Sequence, residues 1–99
     1  MNLAISITKI LMELTGEPRI ELAIVDLLKD AIEHRIEKIK KEIKNYEKKY
    51  RMSFEEFKEK FEKSEIENSY SYEVEMDYLE WEGLFSRLNK YNKILNDLK

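Results

Sequence analysis

The chain has 99 residues, of which 39% are charged, with two glycines, one proline and no cysteine. So few turn-forming residues and so many charges are typical of long surface helices and argue against a β-sandwich. The lack of cysteine excludes a disulfide framework and a thiolate metal site, and the net charge of −3 disfavours general nucleic-acid binding.

The first predicted element is a helix over residues 1–15. Its apolar residues form one stripe at helical spacing: Leu3, Ile7, Ile10, Leu11 and Leu14. Asn2 is its candidate cap. The alternative is a β-strand with Leu3, Ile5 and Ile7 on one face, as in ribbon-helix-helix DNA-binding proteins. This stretch is too short and too polar to span a bilayer, so no membrane contact is expected.

A long second helix is predicted over residues 19–50. Gly16 and Pro18 mark the break before it, since glycine suits the end of a helix and proline the first turn of the next. Its apolar face is wide at first and then narrows to residues stepping by three and four: Ile36, Ile39, Ile43, Tyr46 and Tyr50. That spacing predicts a coiled-coil-like seam buried against one facing helix.

A short third helix is predicted over residues 53–63, at the tip of a hairpin. Ser53 and Glu56 have the spacing of a capping box, and Met52 with Phe57 has the character of a hydrophobic staple. The following segment, 64–71, is polar enough for a connecting loop.

The last predicted helix covers residues 72–98 and carries a second seam: Val74, Tyr78, Trp81, Phe85, Leu88, Tyr91, Leu95 and Leu98. We expect it to pack antiparallel to the long helix, with Ile39 and Ile43 against the stretch 81–88. Its acidic first half would then face the lysine-rich part of the long helix. Leu79, Leu84 and Ile94 widen the seam, so contact with the N-terminal helix is also expected. The predicted fold is a single all-α domain over residues 1–99, built on a long antiparallel helical hairpin.

No catalytic, cofactor-binding or metal-binding residue is predicted. His34 is the only histidine, and neither a nucleophile triad nor a glycine-rich phosphate loop is present. Asp77 and Glu80 share a helix face and are a minor candidate for a divalent cation. Acids in the first turns of a helix also complement its dipole, which is the simpler interpretation. We therefore expect a non-enzymatic protein without a cofactor.

Basic residues on the long helix offer a lesser hypothesis of direct RNA or DNA contact: Arg35, Lys38, Lys41, Lys48 and Lys49. They are interleaved with Glu37, Glu42 and Glu47, as on a solvated helix laced with salt bridges. Nucleic acid is therefore not the expected partner.

Aromatic residues crowd the tip half of the hairpin, beyond what a two-helix seam encloses. They support two interpretations, a small aromatic core or a partner-binding patch. The candidate partner-binding residues are Tyr50, Phe54, Phe57, Tyr78 and Trp81.

The second half of the chain carries a constellation of residues that supports a family resemblance: Tyr46-Glu47, Tyr50, Met52-Ser53, Glu56-Phe57, Phe61, Glu65-Ile66, Asp77, Glu80-Trp81 and Leu84. It resembles small prokaryotic antitoxin-like helical proteins encoded beside TumE-like toxins. Arg51 stands where that family's pattern usually has glycine. The resemblance implies a helical hairpin that binds a toxin protein.

Two main hypotheses follow. In the first, the chain is a cytoplasmic protein-binding module, an antitoxin-like partner of a small toxin. In the second, it is a structural coiled coil that associates with itself as a homo-oligomer. The bias toward lysine, glutamate and isoleucine, with no glutamine, also resembles the composition of hyperthermophile proteins.

Overall fold

The computed structural model describes residues 3–98, which form four helices and no strand. The helices are α1 (Leu3–Thr15), α2 (Ile20–Tyr50), α3 (Phe54–Glu62) and α4 (Tyr72–Asp97). The all-α prediction is confirmed, and the alternative of an N-terminal strand is wrong. The predicted cap Asn2 lies outside the described residues.

Helices α2 and α4 pack against each other as the antiparallel hairpin that the two seams predict. The Tyr46–Glu80 and Lys49–Asp77 contacts share one register. The core between the helices and under the tip consists of Ile39, Ile43, Phe57, Ile66, Val74, Trp81 and Leu84. The predicted packing of Ile39 and Ile43 against the stretch 81–88 is confirmed.

The bend between α2 and α3 depends on one residue in a left-handed backbone conformation. Arg51 caps the C-terminus of α2 at φ 57° and ψ 38°, a region that favours glycine. Ser53 then caps α3 by accepting the Glu56 N–H at 3.3 Å. The carboxylate of Glu56 pairs instead with Lys60 at 3.3 Å, so only one half of the predicted capping box forms.

The loop over residues 63–71 is polar but not detached from the protein. Ile66 is buried in the main core, and the backbone N–H of Ser69, which is also buried, donates to the Ile66 carbonyl at 3.0 Å. Ser71 ends the loop and caps α4 by accepting the Val74 N–H at 3.2 Å. One apolar residue thus anchors the connection between α3 and α4.

Helix α1 packs against the first part of α2 and not appreciably against α4. In the register set by the Tyr46–Glu80 and Lys49–Asp77 contacts, the C-terminus of α4 lies opposite about residue 29 of α2. Helix α1 thus packs on the first part of α2, and α4 packs on the rest. The contact of α4 with the N-terminal helix is therefore slight at most, not the broad packing expected. The described chain is elongated, 60 × 28 × 17 Å, with a radius of gyration of 19.7 Å. A compact chain of this length has a radius of gyration of about 13 Å.

Candidate partner-binding site

The aromatic residues near the tip form a packed core around Trp81, which is fully buried. Tyr46 and Tyr50 stack on the indole with ring centroids 5.5 and 6.0 Å away. Phe54 and Phe57 lie at 5.3 and 5.1 Å in tilted orientations. The buried indole N–H has no hydrogen-bond partner in the described part of the chain. Ring packing, and not hydrogen bonding, therefore holds Trp81.

The five candidate partner-binding residues divide into two groups by exposure. Phe57 and Trp81 are 0% exposed, whereas Tyr50, Phe54 and Tyr78 are half-buried against the same core. In this conformation a partner can reach only the edges of the last three side chains. Contact with Phe57 or Trp81 would require the tip to open.

A polar seam runs along one edge of the aromatic core. The Tyr50 hydroxyl donates to Asp77 at 2.5 Å, and the Tyr46 hydroxyl donates to Glu80 at 2.6 Å. Burial, followed by these hydrogen bonds to carboxylates, raises the pKa of both tyrosines above the ordinary value. Both hydroxyls therefore remain protonated donors at neutral pH.

Lys49 lies at the end of this seam and binds two acids of α4. Its ammonium group is 2.6 Å from Asp77 and 2.7 Å from Glu73. Hydrogen bonds to Asp77 and then to Glu73 raise the pKa of Lys49. The carboxylate considered above for a cation is thus occupied by an ammonium and a phenol. Among residues 3–98, no cluster of three or more potential metal-binding side chains exists.

The outer face of α4 and the loop before it present a second group of apolar residues at the tip. Tyr70 and Tyr72 are 83% and 78% exposed, Leu79 is 58% exposed and Met76 is 41% exposed. Beside them is an open groove of about 280 Å³, lined by Phe61, Glu75, Tyr78 and Leu79. We call these features together the tip surface, made of Phe61, Tyr70, Tyr72, Glu75, Met76, Tyr78 and Leu79.

The groove has a rigid aromatic wall and an acidic surround. Phe61 and Tyr78 stack with centroids 4.5 Å apart. Burial and the nearby charges of Glu82 and Glu62 raise the pKa of Tyr78. Within residues 3–98, Glu62, Glu75 and Glu82 form no ion pair. The tip surface therefore combines an apolar groove with one carboxylate, Glu75, and has two further acids, Glu62 and Glu82, beside it.

A larger apolar surface lies at the opposite end of the protein. It consists of eleven side chains on more than one side of α1 and α2, each 37% to 73% exposed: Leu3, Ile5, Ile7, Ile10, Met12, Leu14, Ile20, Leu22, Ile24, Leu27 and Leu28. We call it the N-terminal surface. The half-buried residues of α1 are Ser6, Thr8, Leu11 and Thr15. Helix α2 therefore covers little of the apolar stripe of α1.

The basic residues of α2 do not form one continuous track. Arg35 and Lys38 join Arg87 of α4 around an open groove of about 360 Å³, but Glu42 lies in the same groove. Lys49 is already paired with two acids. The structure thus adds no support for the nucleic-acid hypothesis.

Of the tip surface, sequence reasoning named only Tyr78 as a partner-binding candidate, and the expectation that Leu79 widens the buried seam is wrong, since Leu79 is 58% exposed. Tyr72, Met76 and Leu79 follow one another by four and three residues, the same spacing as the buried seam of α4. That second stripe is a signal that the sequence does carry. Only packing shows which of the two stripes faces α2.

The described residues define a class of protein: an elongated helical hairpin with an aromatic core near its tip and an exposed apolar surface at each end. No helix among residues 3–98 is long and apolar enough to cross a membrane. The chain belongs to the Uncharacterized protein MJ0235 family, whose model matches residues 7–99. No curated protein and no solved structure matches the chain.

Proposed function

We propose that this protein is a non-catalytic protein-binding module that docks a partner protein on its tip surface. The observation that carries the proposal is the exposure of two tyrosines, Tyr70 and Tyr72, beside the groove formed by Phe61, Tyr78 and Leu79. Tyrosine is enriched at protein interfaces, where a large ring and a hydroxyl bind with little loss of side-chain entropy. Exposed apolar patches rimmed by polar groups mark such sites.

The charges around the groove support a particular kind of partner. Glu62, Glu75 and Glu82 have no counter-ion in the described part of the chain. A partner with an apolar anchor ringed by lysine or arginine would satisfy both features, since complementary charges steer encounter and fix orientation. Within the resemblance described above, that partner is a TumE-like toxin and the protein is its antitoxin-like inhibitor.

The five candidate residues from the sequence take a supporting role in this proposal. Tyr78 lines the groove directly. Phe54 and Phe57 pack behind it at centroid distances of 5.9 and 6.2 Å, and Phe57 also contacts Trp81. A rigid aromatic layer of this kind holds the groove in shape before the partner arrives, which lowers the entropic cost of binding.

The test begins with the full chain as bait in a lysate of its native host, followed by purification of the captured protein and calorimetric titration. The Tyr72→Ala, Leu79→Ala double variant removes two exposed anchors and should bind at least tenfold more weakly, about 1.4 kcal/mol or more. The matched control is Ile10→Ala, Leu14→Ala on the N-terminal surface, which should bind normally. Recovery of homomer alone, or equal affinity in the tip variant, would refute the proposal.

A further inference from the structure

We propose that the N-terminal surface binds a second copy of this chain, so that α1 of each protomer is covered by the other protomer. The inference is independent of the proposed function, because the two surfaces lie at opposite ends of the hairpin.

The distribution of apolar residues on α1 is the first observation. Six of its 13 residues are large apolar side chains that remain exposed: Leu3, Ile5, Ile7, Ile10, Met12 and Leu14. Four of these, Leu3, Ile7, Ile10 and Leu14, step by four, three and four, the spacing of a coiled-coil seam. A seam of this kind requires a facing helix, and α2 takes a different side of α1. Helix α1 therefore has a place for one more helix.

Helix α2 repeats the pattern where α4 no longer covers it. Ile20, Ile24 and Leu27 step by four and three and are 40% to 42% exposed. A helix that is apolar on several sides belongs in the interior of a bundle. Two such helices joined by a short turn form half of a four-helix bundle, and a second identical pair supplies the other half.

The area of the surface is the second observation. A fully buried aliphatic side chain contributes ~1.5 to 3 kcal/mol at ~25 cal/mol per Å², which corresponds to roughly 60 to 120 Å² each. Eleven side chains that are about half exposed thus present roughly 300 to 700 Å² of apolar surface per chain. Two such patches with their surrounding atoms approach the ~1,200 Å² at which stable interfaces begin.

Charge is the third observation, and it favours a second copy over a charged partner. Helix α1 carries only Lys9 and Glu13, which cancel. The antiparallel, two-fold pairing that opposes the seam residues places Leu3 of each copy against Leu14 of the other and Ile7 against Ile10. The tip surface carries Glu75 and has Glu62 and Glu82 beside it, so it would repel a second copy of itself.

The test is the mass of the full-length protein by sedimentation equilibrium from low to high micromolar concentration. The wild type should be a dimer, with twice the 12.0 kDa mass of one chain. The Ile7→Glu, Ile10→Glu variant should be monomeric at the same concentrations. The control is Tyr72→Ala, Leu79→Ala, which should remain dimeric. Circular dichroism of each variant checks that the helices are intact.

The proposal is overturned if the wild type is monomeric at every concentration, or if the Ile7→Glu, Ile10→Glu variant keeps the dimer mass. A loss of heteromeric binding in the tip variant with the dimer intact would leave this inference standing, since the two surfaces are separate.

Discussion

Tyr50 of α2 donates its hydroxyl to Asp77 of α4 across the hairpin, with 2.5 Å between the two oxygens. We expect Tyr50→Phe to lower the free energy of unfolding by about 1.5 kcal/mol, the lower end for hydrogen bonds to charged groups, because Lys49 still pairs with Asp77. Urea denaturation measures the change. Tyr72→Phe removes an exposed hydroxyl as the control, and an equal loss in both variants would contradict the prediction.

The two seam tyrosines also predict how stability depends on pH. Burial and hydrogen bonds to Asp77 and Glu80 raise the pKa of Tyr50 and Tyr46. In the unfolded chain the pKa of tyrosine is about 10. Above that pH the unfolded state binds fewer protons than the folded state, so stability is present below pH ~10 and falls as pH rises beyond it. The raised pKa of Lys49 acts in the same direction.

Melting temperatures measured across the alkaline range test this dependence. The wild type should lose stability steeply above the ordinary tyrosine pKa, and Tyr46→Phe, Tyr50→Phe should lose it less steeply. The double variant starts from a lower stability at neutral pH, so the comparison is between slopes. Parallel curves for the two proteins would show that the seam hydroxyls do not control the alkaline transition.

Ile43 is buried in the core of the hairpin, whereas Leu79 is 58% exposed on the tip surface. Truncating Ile43 to alanine should cost about 2 to 5 kcal/mol, because it removes buried methyl groups and leaves a cavity. Leu79→Ala removes a similar volume from the surface and should change stability by well under 1 kcal/mol, about the size of ordinary surface effects. Denaturant titration distinguishes the two. A small effect at Ile43 would mean that the hairpin is not packed there.

Arg51 holds a left-handed conformation that costs a residue with a side chain about 1 to 2 kcal/mol. Arg51→Gly relieves that strain but makes the unfolded chain more flexible, which costs about 0.4 to 1 kcal/mol. We expect a net gain of roughly 0.5 kcal/mol in unfolding free energy. Arg51→Ala keeps the strain and is the matched comparison. A loss of stability in the glycine variant would contradict this account of the bend.

Tyr78 lines the groove of the tip surface, and its ring stacks on Phe61. If a partner inserts an anchor there, Tyr78→Ala should weaken binding about thirtyfold, equivalent to ~2 kcal/mol. Tyr91→Ala provides a control at the other end of α4, where a half-buried ring also packs on the core. Trp81 fluorescence verifies that both variants stay folded. Equal binding by the two variants would place the partner elsewhere.

The sequence by itself determined the elements that depend on local chemistry and on one-sided periodicity. The apolar seams of residues 36–50 and 74–95 are each narrow enough to be buried by a single facing helix. Their spacing therefore predicts that the two helices pack together as a hairpin. Ser53 caps α3, as its place before an apolar run predicts, because capping involves only neighbouring backbone groups.

Only the tertiary structure decided which apolar residues are enclosed. Helix α4 carries two stripes with the same spacing, and packing on α2 buries Trp81 while it leaves Tyr72 and Leu79 exposed. The pattern alone cannot rank them, since both satisfy helical periodicity. Likewise, the spacing of the apolar stripe of α1 predicts that it is buried in the core. It is exposed because the register of the hairpin ends α4 opposite about residue 29 of α2, too early to cover it.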